Sequence, residues 1–269
     1  MANEPTKAPA ITTLLPRLRA SNPLIYCLSN SVTAQFVANV LYAVGASPLF
    51  CVDPLEAEDV AGKAGAMVVN LGTLDTQRRQ AIDRAVPNAK RWVLDPVGIA
   101  GLSSRRTLAR TLMTKRPSIV RGNASEILAL DDEAASIASK GVDAAHTGEA
   151  AAPIAKHLGT TSGSVIAMTG LVDYVSGIRL DGSGRMVQLS GGHAYMAQIT
   201  GMGCAVSALC AAFLAVADDG TEGAFDAAVS ALHLASAAGG HAGSQESTKG
   251  PASFQVNFID ALSRVGAAT

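Results

Sequence analysis

Short apolar runs and longer helical stretches alternate along most of this chain. The runs at 47–51 (SPLFC), 66–70 (AMVVN), 91–95 (RWVLD), 117–121 (PSIVR) and 164–168 (SVIAM) each predict a buried strand. Between them, 34–45, 75–86, 105–113 and 148–158 carry apolar residues at helical spacing. Such alternation predicts a parallel sheet with helices on both faces. The segment DYVSGIRLDGSGRMVQLS breaks the rhythm and predicts a hairpin turning at Asp181–Gly184. From Cys204 onward the chain reads as three helices, over 204–217, 224–239 and 253–265. No repeat, linker or charge run divides it. One α/β domain over 1–269 is expected, with 1–20 as a loosely ordered N-terminal segment.

Composition narrows the function. Of 269 residues, 48% are hydrophobic and 16% charged, enough apolar material for a large core and too much for a disordered chain. Lys plus Arg number 21 against 22 Asp plus Glu, a net charge of -1 that lacks the basic footprint of a nucleic-acid binder. So few charges also suggest that part of the surface is covered by partners, as in an oligomer. No apolar stretch follows the start MANEPTKAPA, so no secretory signal is expected. The most apolar run, 204–217, falls short of the roughly 20 residues of a membrane span. Cys27, Cys51, Cys204 and Cys210 show no CxxC spacing, which argues against a zinc site or disulfide framework and for the cytoplasm.

In an open parallel sheet ligands bind beyond the carboxyl ends of the strands, so the loops there are the places to search. Thr200-Gly201-Met202-Gly203-Cys204 opens an apolar helix, whose first-turn N–H groups and dipole favour an anion; a thiol there is expected to have a depressed pKa. A glycine turn before a buried structural cysteine is the competing reading. Asp95, directly after a strand, can hold magnesium, although strand–Asp–Pro is also an ordinary turn. Asn123 with Glu126 three residues on reads as a helix cap. Capping leaves Arg121 unexplained, because a cation sits badly at a helix N-terminus unless a phosphate accompanies it. Met168-Thr169-Gly170 offers a hydroxyl and backbone N–H groups to a phosphate or is simply a turn, and Ser29–Thr33 holds more short polar residues than one cap needs. The GxxxxGK[ST], strand-following GxGxxG and GxSxG signatures are absent, and the five histidines form no i, i+4 metal pair.

Taken together, LSNSVTAQFVANVLYAVGASP, VVNLGTLD, WVLDPVG, RGNASEI, GVD, MTGLVDYV, TGMGCAVSA and GPASF…FIDAL occur in the order seen in hydroxyethylthiazole kinases, a ribokinase-like family that the chain resembles from about Asn22 to Leu262. The resemblance implies a three-layer α/β sandwich with a mostly parallel central sheet. It implies phosphorylation of the hydroxyl of 4-methyl-5-(2-hydroxyethyl)thiazole by ATP with Mg2+, for thiamine synthesis or salvage. Cys204 matches the family's catalytic cysteine, and Gly201, Met202 and Gly203 its anion hole. Arg121 and Thr169, with Gly170 beside it, match ATP-contacting positions, and Asn30 lies in the matching polar loop. Asp95 and Glu126 match the acidic positions associated with magnesium. Gly201 and Phe50 fall on thiazole-contacting positions. The family is a homotrimer with active sites between subunits.

Two positions depart from the pattern. Met202 stands where the family usually has threonine, which removes one hydroxyl from the anion hole and leaves its backbone donors. Phe50 replaces a methionine, a rigid ring for a flexible thioether, and so reshapes the pocket. The rival readings are another ribokinase-like kinase of a small hydroxymethyl heterocycle and an inactive thiazole- or nucleotide-binding homologue.

Overall fold

A computed structural model of the protein describes residues 11–131 and 148–265. The GVD motif and His146 lie outside the described residues. In chain order the elements are α1 (Ile11–Ser21), β1 (Leu24–Leu28), α2 (Ala34–Val44), β2 (Ser47–Leu49), α3 (Pro54–Lys63), β3 (Ala66–Asn70), α4 (Thr76–Ala85), β4 (Trp92–Asp95), α5 (Ser103–Met113), β5 (Ile119–Asn123) and α6 (Ala124–Leu130). Then follow α7 (Gly148–Thr161), β6 (Val165–Thr169), β7 (Asp173–Ile178), β8 (Gly184–Leu189), α8 (Met202–Leu214), α9 (Gly220–Ser244) and α10 (Pro251–Arg264).

The strands form one eight-stranded sheet in the order β2-β1-β3-β4-β5-β6-β7-β8. Pairing is parallel from β2 through β6 and antiparallel across β6–β7–β8. The period-two alternation of strand side chains divides the core. Ile25, Val68, Val93, Ile119 and Val165 face α1, α2, α8, α9 and α10, whereas Met67, Val69, Leu94, Val120 and Ile166 face α3 to α7. Helix, sheet and helix therefore make a three-layer α/β sandwich. Strands buried on both sides need continuous apolar runs, and β3 is buried along its whole length.

The hairpin expected at Asp181–Gly184 closes as read. Arg179 N–H donates to the Ser183 carbonyl at 2.8 Å, and Gly182 takes a φ of 82° that favours glycine. Other expectations shift. The run 47–51 forms strand only over Ser47–Leu49, and 117–121 moves forward to Ile119–Asn123. Strand β1 and helix α3 were not among the runs expected.

The N-terminal expectation needs correction for residues 11–20. They form a helix rather than a loose segment, with Ile11, Leu14, Leu15 and Leu18 buried at i, i+3, i+4 and i+7. Pro16 sits inside this helix, and the buried stripe holds it against α9 in spite of the lost backbone donor. Residues 11–20 thus contribute to the core on the α8–α10 face.

Candidate active site

Strands β3, β4, β5 and β6 all end at one edge of the sheet, and α8 begins above them. The chain order reverses between β1 and β3, so their loops lie side by side: the Ser31 N–H donates to Thr73 Oγ1 at 3.0 Å. A switch point of this kind leaves a crevice at the carboxyl edge. At the same carboxyl edge, but over β5 and β6 rather than over the switch point, a cavity of about 780 Å3 is lined by Arg121, Glu126, Thr169, Gly170 and the segment Gly201–Cys204, together with His193, Ala194, Met196 and Ala197.

Local chemistry dictates each part. Gly201 precedes α8 with a φ of 89°, a left-handed conformation suited to glycine, and its missing side chain leaves room for Thr33. Gly203 lets the Arg121 guanidinium lie directly against the first helical turn, where a Cβ would collide with it. Among the described residues the Gly203 and Cys204 N–H groups have no acceptor, while that of Met202 goes to the Ile199 carbonyl. The helix start therefore presents donors and the positive end of a dipole to the cavity.

Arg121 is 8% exposed, and its Nη2 donates to the Thr169 hydroxyl. Among the described residues it forms no ion pair, and its Nε has no partner. A buried guanidinium beside a helix N-terminus, with no carboxylate bound to it, is poised for an anion.

Asp95 lies fully buried beneath this floor, outside the cavity's lining. Burial pushes its carboxyl up to about 6; Glu126 adds to the rise, and Arg121 and hydrogen bonding oppose it. Asp95 Oδ1 has no hydrogen-bond partner, whereas Oδ2 accepts from Asn70 Nδ2 at 2.5 Å. Glu126 closes the expected capping box with Asn123. Its Oε2 accepts from the Asn123 N–H at 2.9 Å, and its Oε1 accepts from the Gly98 N–H at 3.0 Å, which ties the β4 loop to α6.

One expectation is reversed. The Cys204 thiol is not depressed by the helix start: burial, reinforced by the charge of Asp95, pushes it up to about 11. Thr33, Asn70 and Arg121 pull the other way without overcoming desolvation.

The positions singled out in the sequence divide into two groups. Arg121, Thr169, Gly170, Glu126, Gly201, Met202, Gly203 and Cys204 meet at the cavity, with Asp95 just below. The Gly170 N–H is already engaged by Asp173 Oδ1 at 3.0 Å. Asn30 and Phe50 do not line it. Asn30 Oδ1 accepts from the Val32 N–H at 3.0 Å, and Phe50, 38% exposed, lies just past the edge strand β2. The structure adds Asn70, Asp173 and His193. Asn70 had a signal, as a polar residue ending a fully buried apolar run; Asp173 and His193 had none that set them apart.

The family model for "HK: Hydroxyethylthiazole kinase family" matches residues 15–267. The chain belongs to the hydroxyethylthiazole kinase family. A hydroxyethylthiazole kinase of Pectobacterium carotovorum is 40% identical over 254 residues, covering 93% of this chain and 91% of that protein. Among solved structures, the hydroxyethylthiazole kinase protein of Pyrococcus horikoshii OT3 superposes with a TM-score of 0.82 at 33% identity, covering 96% of this chain and 94% of that one. A ribokinase-like superfamily protein from Enterococcus faecalis superposes with a TM-score of 0.61 at 12% identity, over 97% and 91% of the two chains, a likeness of fold alone. Members of the family are phosphotransferases with a ribokinase-like fold, and the three-layer sandwich here is that fold.

Proposed function

We propose that the protein transfers the γ-phosphoryl group of ATP to the hydroxyl of 4-methyl-5-(2-hydroxyethyl)thiazole, giving the phosphate used in thiamine synthesis or salvage. The observation that carries this reading is the buried, carboxylate-free Arg121 beside the donor-rich start of α8. In phosphoryl transfer, catalysis is mostly positioning and charge stabilisation, and these groups supply both. Arg121 and the Gly203 and Cys204 N–H groups would hold the oxygens of the transferred group, and Thr169 orients Arg121.

Asp95 Oδ1 is buried without a partner, and each Glu126 oxygen accepts one backbone N–H and keeps a further lone pair. This pair fits magnesium, which binds through one or two carboxylates and retains water, and no group of three or more candidate ligands occurs among the described residues. Asp95 and Glu126 would hold the ion, which when bound offsets the negative charge of the ATP phosphates.

Cys204 is protonated at neutral pH, so its first role is to orient the acceptor hydroxyl rather than to serve as a ready base. We assign Gly201 to the thiazole subsite and Asn30 to the nucleotide side. Phe50 would join the thiazole subsite from a neighbouring subunit of a homotrimer, for which its exposure at the sheet edge and the low surface charge are the supports. The whole chain acts as a single kinase domain in the cytoplasm, and no described helix is long and apolar enough to cross a membrane.

The test is ADP release by the purified protein with ATP and magnesium, with and without the thiazole alcohol. Thiazole-dependent ADP that is lost in Arg121→Ala supports the reading. No stimulation in folded protein overturns the substrate assignment.

A further inference from the structure

Asn70 is the last residue of β3, 1% exposed, and directly paired in register with Asp95 on β4. Its side-chain amide makes three bonds. Nδ2 donates to Asp95 Oδ2 at 2.5 Å and to Cys204 Sγ at 3.2 Å, and Oδ1 accepts from the Gly72 N–H at 2.8 Å. We propose that Asn70 is a positioning residue of the phosphoryl-transfer site, holding the Cys204 sulfur and the Asp95 carboxylate in fixed relation through the two N–H bonds of one amide. The proposal rests on the kinase reading above and deepens it.

The orientation of this amide is dictated by its neighbours. Flipping it would set an oxygen against the Asp95 carboxylate and an NH2 against the Gly72 N–H, replacing attractive contacts with repulsive ones. Gly72 closes the remaining space, since a Cβ there would stand 2.9 Å from Asn70 Oδ1 and 2.6 Å from Asn30 Nδ2. With the oxygen anchored, both amide hydrogens have fixed targets. The sulfur of Cys204 accepts from Asn70 on one side, which determines the side it turns to the cavity that Cys204 lines. Beside these bonds Cys204 is also contacted by Thr33, which packs under Gly201, and Asp95 by the Ser207 hydroxyl of α8.

A purely structural role fits less well. An amide is a poor strand former, and an apolar residue would fill the end of a buried parallel strand more readily. What such a residue would not supply is a donor to each of two groups on different elements, the strand β4 and the helix α8. A misplacement of about 1 Å at such a site can cost about a hundredfold in rate.

Asn70→Asp keeps the shape and the acceptor for Gly72 and removes the donor to the Cys204 sulfur, while toward Asp95 the new carboxyl can only share a single proton. The expected result is a fall in kcat of at least about tenfold with the KM for ATP within about twofold, and a smaller fall when the same change is made in a Cys204→Ala background, where only the Asp95 contact remains to be lost. An unchanged kcat, a rise in KM alone, or an equal loss in the Cys204→Ala background would overturn the proposal. A second readout needs no turnover: iodoacetamide labelling of Cys204 in the ligand-free protein, with the half-buried Cys51 as internal reference. Asn70→Asp is expected to slow labelling at Cys204 by at least about fivefold relative to Cys51, because the sulfur loses its donor and faces a carboxylate. An unchanged ratio overturns the proposal. If the wild type makes no thiazole-dependent ADP, the kinase reading has failed, and the labelling ratio still decides the Asn70 contact. Should Asn70→Asp not fold, Asn70→Ser, smaller and uncharged, carries the same readouts.

Discussion

Arg121 reaches along its own strand to donate from Nη2 to the hydroxyl of Thr169, the last residue of neighbouring β6. In register Arg121 pairs with Ala167, so the side chain spans two residues forward to the carboxyl edge. The contact aims a buried cation at the cavity without neutralising it, because a hydroxyl brings no charge.

Removing that cation is expected to damage both binding and chemistry. Arg121→Ala should raise the KM for ATP and lower kcat by about a hundredfold, the cost of losing one preorganised charge stabiliser. Steady-state ADP formation measures both, and unchanged kinetics would remove Arg121 from the phosphate site. Thr169→Val, which frees the guanidinium while leaving it in place, should show a smaller loss of the same kind.

Cys204→Ala should retain measurable activity, since a thiol held up to about 11 contributes little as a base at neutral pH. By the same shift, labelling of Cys204 in the wild type should be slow at neutral pH and keep rising up to about pH 11. A plateau near pH 7, read by mass mapping of the labelled peptide, would contradict a desolvated thiol.

The start of α8 tolerates no side chain at Gly201. An alanine there takes a positive φ, at about 1–2 kcal/mol, and its Cβ meets Thr33 as well. Gly201→Ala is therefore expected to lower the unfolding free energy and the activity together. Gly203→Ala, at a negative φ, should spare most of the stability and displace Arg121, so activity falls with little change in the denaturation midpoint.

Helix α1 belongs to the core. Leu18 is fully buried, and Leu18→Ala should cost about 2–5 kcal/mol by urea unfolding. A change of a few tenths would return this segment to the status of a loose extension.

Two cysteines with no part in the mechanism make stability fall in alkali. Burial pushes Cys27 and Cys210 from 9.0 up to about 12. Between those values the unfolded chain has released thiol protons that the folded protein retains, so the unfolded state binds fewer protons and stability decreases as pH rises. Urea midpoints should decline from about pH 9 upward, and less steeply in Cys27→Ala or Cys210→Ala judged against its own midpoint near neutral pH.

Much of this architecture is written in local pattern. Runs such as AMVVN and SVIAM, short and rich in β-branched residues, read as buried strands and form them, the Asp181–Gly184 turn has hairpin chemistry, and Asn123 with Glu126 forms the capping box its spacing suggests. The stripe Ile11, Leu14, Leu15 and Leu18 has helical spacing in the sequence as well, interrupted by Pro16, against the expectation of a loosely ordered segment. Candidate chemistry was legible too where a residue conflicted with its own surroundings, as Arg121 does beside a helix start. What local pattern does not contain is distance between elements. That Asn70 of β3 touches both Asp95 of β4 and Cys204 of α8 depends on strand order and on where α8 lands. The Cys204 thiol shows the limit most clearly: its helix position argues for a lowered pKa, and only the packed fold, by removing water and bringing Asp95 near, raises it. Desolvation and charge proximity are properties of three-dimensional neighbours, and those neighbours are set by the tertiary structure.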